Sequence, residues 1–331
     1  MRRWRSTGSV VLACAAVAAG MIGVSALVSG DDSGRSTGAG QGASSADDGW
    51  RWESYQTIEL QVPEDWGYGI TGSPPCLVEK KQRPHVGRPG PVRTIGCWGL
   101  PPLAHRAPYV WFDTKSRNPA GDGMRKLGVQ PADHGWVEET RLVDGLHVTV
   151  LSDDDSLRRR ILDSARVIDG SDANGCTPDH RLAHQPDGRP ASTGGLASIG
   201  TVESIKVCRY AITRRDPDRR APLIASSIFT GDAAGALVDA ITSAPEGSGP
   251  NDKECIDTYG MYILVLTVRG GSRDQEVSVR YDGCDFNGTD DGQTLRQLTA
   301  PVLRPILTGI HQPWHYHGSL YELVVGPQPS K

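Results

Sequence analysis

The densest group of side chains able to do chemistry lies near the C-terminus, where His311, His315 and His317 surround Pro313. In an extended segment His315 and His317 point to the same side, and a turn at Pro313 brings His311 across to them. Three imidazoles can bind zinc or copper, so these residues are the candidate metal ligands. A packed or solvated tail without a cofactor is the favoured alternative, because no Cys or acidic residue lies among the three histidines.

A second candidate is an aromatic surface in the first half of the chain, which holds most of the tryptophans: Trp50, Trp52, Trp66, Trp98, Trp111 and Trp136. Exposed Trp and Tyr rings can bind ligands such as cell-wall sugars through their faces. The candidate ligand-binding residues are Trp66, Tyr68, Trp98 and Trp111. The alternative is that these rings pack inside a small disulfide-bonded domain.

Two further patterns are weaker. Cys176, His180 and His184 are spaced by four residues, which places them on one face only if the segment is helical, and the surrounding sequence is rich in Pro and Gly. Residues 285–292 alternate oxygen-bearing side chains as calcium loops do, but Asp290 and Arg296 stand where an EF-hand needs Gly and Glu. We therefore predict no metal at either place.

No Ser, His and acidic residues stand in a nucleophile-elbow or paired-carboxylate context. The formal net charge is −4, and acidic and basic residues are mixed along the chain. Without a basic stripe, nucleic acid is not expected as a partner. These observations favour a protein that is not an enzyme, with a diverged extracellular hydrolase as an alternative.

The N-terminus predicts insertion into a membrane. Residues 1–9 carry three arginines and no acid, and residues 10–28 carry no charge. An apolar stretch of this length is close to the ~20 residues that span a bilayer. We predict a single-pass anchor with residues 1–9 in the cytoplasm and the rest of the chain outside. Cleavage near Ala26, followed by secretion, stays open.

Apart from Cys14, which lies in the apolar stretch, the six cysteines fit an extracytoplasmic location, where disulfides persist. Their number is even, and no two are as close as zinc or thioredoxin-like sites require. Sequential pairing closes loops of 21 to 32 residues, and each disulfide that closes a loop of this size stabilises a fold by about 3–4 kcal/mol. We predict three sequential disulfides: Cys76–Cys97, Cys176–Cys208 and Cys255–Cys284.

The elements that must position these residues form two series. The first half predicts strands at 57–62, 92–97, 109–112 and 146–151, then a helix capped by acids at 153–155. The second half predicts strands at 204–212 and 223–229, a helix from 231, a hairpin of 261–268 with 276–281, and a helix over 294–307 interrupted at Pro301.

The predicted fold class is therefore α+β: an N-terminal transmembrane helix, then two small disulfide-stabilised α+β domains with mainly antiparallel sheets. The domains are placed at 50–170 and 201–310, with a flexible linker at 29–49, a linker or long loop at 171–200 and a tail at 311–331. The repeated pattern V-R-x-x-G-C, at 92–97 and 279–284, leaves a duplication of the two halves open.

The segment VPEDWGYG, at 62–69, together with the anchor and the spaced Gly-Cys positions, resembles membrane-anchored or secreted proteins of actinobacteria that have no assigned activity. The resemblance covers residues 50–310 and implies a location but no catalytic residue. The expected role is a non-enzymatic binding or sensing module of the cell envelope, with an envelope protein or the cell wall as partner. The alternatives are a wall-glycan or small-ligand binding protein that uses the Trp-rich domain, and the diverged hydrolase.

Overall fold

The computed structural model describes residues 46–69, 80–89, 100–113, 126–213, 221–251, 258–271, 273–313, 316 and 318–326. The predicted anchor at 10–28 lies outside these ranges, as do the predicted strand at 92–97 and the candidate residues Cys76, Cys97, Trp98, Cys255, His315 and His317. Among the helices inside these ranges, none has the length and apolar character needed to cross a membrane. The α+β class with mainly antiparallel sheets is confirmed.

The first half forms two sheets. Strands β1 (Trp50–Tyr55), β2 (Ile58–Pro63) and β9 (Arg166–Val167) make an antiparallel sheet in the order β1-β2-β9. A six-stranded sheet has the order β3-β4-β5-β8-β7-β6, with parallel pairing only among its first three strands. Its strands are β3 (Gly67–Tyr68), β4 (His85–Gly87), β5 (Tyr109–Asp113), β6 (Gly128–Pro131), β7 (Val137–Val143) and β8 (Leu146–Ser152), and helix α1 (Asp155–Asp163) follows.

The second half forms a third sheet, antiparallel throughout, in the order β11-β10-β12-β13-β14-β15. Its strands are β10 (Val202–Ala211), β11 (Leu223–Thr230), β12 (Tyr262–Gly270), β13 (Arg273–Arg280), β14 (Gly288–Asp290) and β15 (Leu295–Arg296). The helices of this half are α2 (Arg181–His184), α3 (Gly231–Thr242), α4 (Ala300–Ile306) and α5 (Gly318–Val324).

Local sequence signals explain several of these elements. Asp144 and Gly145 both have positive φ and form the tight turn between β7 and β8. Asp154 caps α1 by accepting a hydrogen bond of 3.0 Å from the Leu157 backbone N–H, as the run of acids predicts. The predicted start of the last helix at 294 is wrong: residues 295–296 pair as β15, and Pro301 lies in the first turn of α4 instead of interrupting it.

The hydrophobic core is shared between the two halves. Residues 43–331 form one compact unit. One buried cluster takes side chains such as Phe112 and Val148 from the first half and Ile205 and Leu264 from the second. That either half folds alone as a domain stays a prediction.

The disulfide between Cys176 and Cys208 is present, with Cα atoms 5.6 Å apart, and it lies in a second buried cluster on the other face of β10. Cys284 is also disulfide-bonded. The cysteines of the Cys76–Cys97 prediction, and the predicted partner Cys255, lie outside the described residues.

Candidate functional site

Strands β1 and β11 are in contact at one end, here called the closed end. At the closed end the Gln56 N–H donates to the Leu223 carbonyl oxygen at 2.7 Å, and the hydroxyls of Ser226 and Ser54 are 3.5 Å apart. Beyond this point opens a cavity of about 280 Å³, here called the edge cleft. Its lining combines aromatic rings with polar groups, the main ones being Trp50, Arg51, Trp52, Glu53, Tyr68, Asn174, Ser226 and Ser227.

The β1 side of the edge cleft is an open strand edge. Tyr55 closes the two-residue hairpin turn to β2, so its backbone N–H and C=O groups face β2. Along an antiparallel strand these groups face the partner strand at every second residue only. Ser54 and Trp52 therefore face away from β2. Consistent with this alternation, Gln61, the partner of Trp52 in β2, donates its N–H away from β1 to the Ser164 hydroxyl.

The β11 side is an open edge as well. The Ile212 N–H donates to the Met261 carbonyl oxygen on the β12 side, so every second residue of β10 before it faces β12 too. The partners of these residues in β11, Ser226 and Ile228, face away from β10. Across the part of the chain that the structure describes, no hydrogen bond engages the outward backbone groups of Trp52, Ser226 and Ile228.

The β1 wall of the edge cleft contains a buried ionic cluster. Glu53, 1% exposed, accepts hydrogen bonds from Arg51 at 2.7 Å and from Arg88 at 2.5 Å. Arg51 also donates to the Trp66 carbonyl oxygen, and Arg88 donates to that of Ser54. Since two guanidinium groups share one carboxylate, the cluster has an excess of one positive charge.

Two buried donors in this wall lack acceptors. Arg51 Nη2 and Trp52 Nε1 have no hydrogen-bond partner among the described residues. A buried donor without an acceptor costs about 1–3 kcal/mol, and most such groups in native proteins are satisfied. The wall is therefore suited to a ligand that supplies oxygen acceptors.

Arginines hold the indole rings of β1 in place. The Arg160 guanidinium lies 3.9 Å from the Trp50 ring centroid, and that of Arg166 lies 4.0 Å from the Trp52 centroid. Such cation–π contacts contribute about 0.5–1 kcal/mol at exposed sites. They fix the orientation of both rings beside the edge cleft.

The predicted aromatic residues are separated by the fold. Tyr68 lines the edge cleft and is 38% exposed, with the Arg51 guanidinium 4.5 Å from its ring centroid. Trp66 and Trp111 are both buried and belong to different core clusters, so they expose almost no ring surface to a ligand. The aromatic lining is instead provided by Tyr68 with Trp50 and Trp52.

The predicted metal ligand His311 is buried, 1% exposed, and its Nε2 lies 2.8 Å from the Ser227 hydroxyl. Burial, and then the nearby charges of Arg209 and Arg88, hold the pKa of His311 well below its usual value, so the ring is neutral. Within the described ranges no group of three or more His, Cys, Asp or Glu side chains is placed to hold a metal. A metal site with His315 and His317 stays a prediction.

The contact between Ser227 and His311 has the atoms of a Ser–His nucleophile pair. A catalytic base must become imidazolium during the reaction, and Arg209 and Arg88 both disfavour that cation. The Nδ1 atom of His311 has no partner among the described residues, whereas a triad orients this nitrogen with a carboxylate. The pair therefore carries no argument for hydrolysis, and the hydrolase stays an alternative prediction.

The weaker histidine pattern is occupied by hydrogen bonds within the chain. His180 Nε2 lies 3.0 Å from a Glu276 carboxylate oxygen, and His184 lies within hydrogen-bond distance of Asp179 and Thr213. Cys176 is in the disulfide. These contacts fasten α2 to its surroundings.

Comparison of the chain with protein-family models, with curated proteins and with solved structures found no match. Function is therefore argued from the edge cleft. Sequence reasoning missed strand β1, although the alternation in W-R-W-E at 50–53, just before the predicted strand at 57–62, is a hairpin signal.

Proposed function

We propose that this chain is an extracytoplasmic binding module, held at the membrane by residues 10–28, that takes its ligand in the edge cleft. The observation that carries the proposal is the pair of open strand edges that line one cavity. The two buried donors without acceptors and the excess positive charge of the β1 wall support it further. The partner is a component of the cell envelope, a protein or the wall.

A wall glycan is the second candidate ligand, because a specific observation favours it. Trp50, Trp52 and Tyr68 lie beside the polar side chains of Glu53 and Asn174 in one cavity. Aromatic faces combined with planar hydrogen-bonding groups are suited to sugars.

Site-specific photocrosslinking tests whether the edge cleft binds anything. The probe is p-benzoylphenylalanine, placed at Ile228 in the full chain within the cells that make it. Val129 is the matched control, because both are β-branched residues on edge strands, 48% and 55% exposed. We expect irradiation to give a cross-linked species from position 228 that position 129 does not give. The absence of such a species, or the same species from both positions, contradicts the proposal.

Membrane attachment is tested separately by washing the membranes with alkaline carbonate. The full chain is expected to stay in the membrane fraction, and a variant lacking residues 2–28 is expected to be soluble. Release of the full chain by the wash contradicts the anchor, and an N-terminus at residue 27 in the medium shows secretion after cleavage.

A further inference from the structure

We propose that the ligand of the edge cleft is an extended, acidic peptide segment that adds a strand between β1 and β11. This inference rests on the proposed function and names the ligand class of the same site. Strands β1 and β11 run antiparallel to each other. Gln56 contacts Leu223 and Ser54 contacts Ser226, so residue numbers fall along β1 while they rise along β11.

The edge cleft lies beyond the hydrogen bond between Gln56 and Leu223 and the contact between Ser54 and Ser226. A ligand that fills it meets outward N–H and C=O groups from Trp52 on one side and from Ser226 and Ile228 on the other. An extended peptide offers donors and acceptors to both sides at the strand repeat. Such a strand runs antiparallel to one neighbour and parallel to the other, and it joins the sheet of β1-β2-β9 to the third sheet.

The closed end limits the length of the inserted strand. Arg88 donates to the Ser54 carbonyl oxygen through Nε at 3.2 Å and through Nη2 at 3.1 Å, so this acceptor is already used. The Trp50 N–H also donates within the chain, to the Asp47 carbonyl oxygen at 2.9 Å, so pairing with β1 is confined to residues 50–53 and uses the Trp50 carbonyl oxygen and the two backbone groups of Trp52. At about 3.3 Å per residue, this edge accommodates a segment of about four residues.

Charge selects among extended peptides. Arg51 and Arg88 share the single carboxylate of Glu53, and Arg51 Nη2 has no acceptor among the described residues. A carboxylate on the ligand, from Asp, Glu or a C-terminus, balances the excess charge and supplies that acceptor. On the β11 side the half-exposed Ile228 offers an apolar contact, which suits a β-branched side chain of the ligand.

The first test uses a phage-displayed library of random heptapeptides, selected on the immobilised full chain. The matched variants are Ile228→Pro, which removes the outward N–H, and Ile228→Ala, which keeps it. Proline is tolerated at this position because the Ile228 N–H does not pair with β10. We expect enriched peptides that carry acids. Both variants lose the apolar contact of Ile228, so the outward N–H is measured by the difference between them: affinity should be at least about tenfold lower for Ile228→Pro than for Ile228→Ala.

The second test needs no protein variant, so it stands even if Ile228→Pro does not fold. The best enriched peptide is synthesised with and without backbone N-methyl groups, and its binding to the full chain is measured by fluorescence polarisation. N-methylation leaves every side chain in place but removes donors to the strand edges, and about a tenfold loss of affinity is expected. Equal affinity of the two peptides overturns strand addition.

The same experiments separate the two proposals. If no peptide is enriched, the peptide inference is wrong. It is also wrong if lysozyme returns the species cross-linked at position 228 to the mobility of the free chain, because the ligand in the edge cleft is then a glycan. In that case the proposed binding function stands. If position 228 gives no specific cross-link at all, the proposed function fails first.

Discussion

The third sheet has two sides that differ in how far the chain itself pairs their polar groups. At β13 and β14 the segment of residues 186–196, here called the strap, is tied to the sheet by hydrogen bonds within the chain. At β11 the outward backbone groups beside the edge cleft have no partner among the described residues. Polar groups that the chain satisfies by itself stabilise the fold, whereas groups left open at a cavity are available to a ligand.

The strap shows how complete the closed side is. Gln275, fully buried, donates to the carbonyl oxygens of Ala191 at 3.0 Å and Asp291 at 2.8 Å, and accepts from the Thr193 N–H at 2.9 Å. Arg189 makes two hydrogen bonds of 2.8 Å to the carboxylate of Asp290. This part of the predicted linker at 171–200 therefore lies fixed against the sheet.

The largest expected effect comes from the disulfide, which ties the turn at 172–176 to β10. Replacing both Cys176 and Cys208 by Ala removes a cross-link that spans 32 residues and should lower the free energy of unfolding by about 3–4 kcal/mol. Urea unfolding of the variant and of the oxidised wild type measures the change. Since Ala173 and Asn174 line the edge cleft, peptide affinity is expected to fall as well. An unchanged unfolding midpoint contradicts this prediction.

Next comes Gln275→Leu on the closed side. The variant keeps the approximate volume but leaves the Ala191 and Asp291 carbonyl oxygens and the Thr193 N–H buried without their partner. The expected loss of stability is about 2–3 kcal/mol, measured by urea unfolding. Peptide affinity at the edge cleft should not change. If binding falls together with stability, the two sides of the sheet are not independent.

The long strands and helix α3 of the second half were predictable because local signals agree with tertiary packing there. Alternating apolar residues gave β10, β11 and the hairpin of β12 with β13, and the spacing of Leu237, Val238 and Ile241 gave the buried face of α3. Strand β1 was missed, since its side chains WRWESY include no aliphatic residue and the burial of Glu53 depends in part on Arg88, which is distant in sequence.

The candidate site was hardly predictable from sequence. The edge cleft combines residues 50–53 with residues 226–228, and the two strands are brought together by contacts such as that of Gln56 with Leu223, which the sequence does not show. Tyr68 was predicted to bind a ligand and lies in the edge cleft. Trp66 was predicted on the same grounds but is only 6% exposed. This prediction failed because composition does not tell which side chains of a loop pack on the core.

An intermediate effect concerns pH and His311, which contacts Ser227 of β11. Its pKa is lowered in the folded state, so between that pKa and about 6.5 the unfolded chain binds a proton that the folded chain does not. Stability therefore falls as the pH drops below about 6.5, by at most about 1.4 kcal/mol per pH unit for this group. His311→Asn should reduce the slope, measured by urea unfolding at several pH values.

His85 provides the control for this pH dependence. Burial also lowers its pKa, so the His311→Asn variant should retain a smaller slope of the same sign. Restricting the series to pH 5.5 and above keeps the carboxylates ionised in both states. A slope unchanged in His311→Asn means that the imidazole titrates alike in the folded and the unfolded chain.

The smallest effect is expected from Trp52→Phe, the counterpart of Gln275→Leu on the open side. Trp52 Nε1 has no acceptor among the described residues, so its removal breaks no hydrogen bond, and the Phe ring can still pack under Arg166. The free energy of unfolding should change by less than about 1 kcal/mol, while peptide affinity should fall about threefold to tenfold if the ligand accepts from this indole. Trp136→Phe is the control, because that ring also lies under an arginine, Arg106, but belongs to a separate buried cluster. It should leave binding unchanged.

A loss of stability in Trp52→Phe as large as in Gln275→Leu shows that the indole N–H is already satisfied, and the contrast between the two sides is then lost.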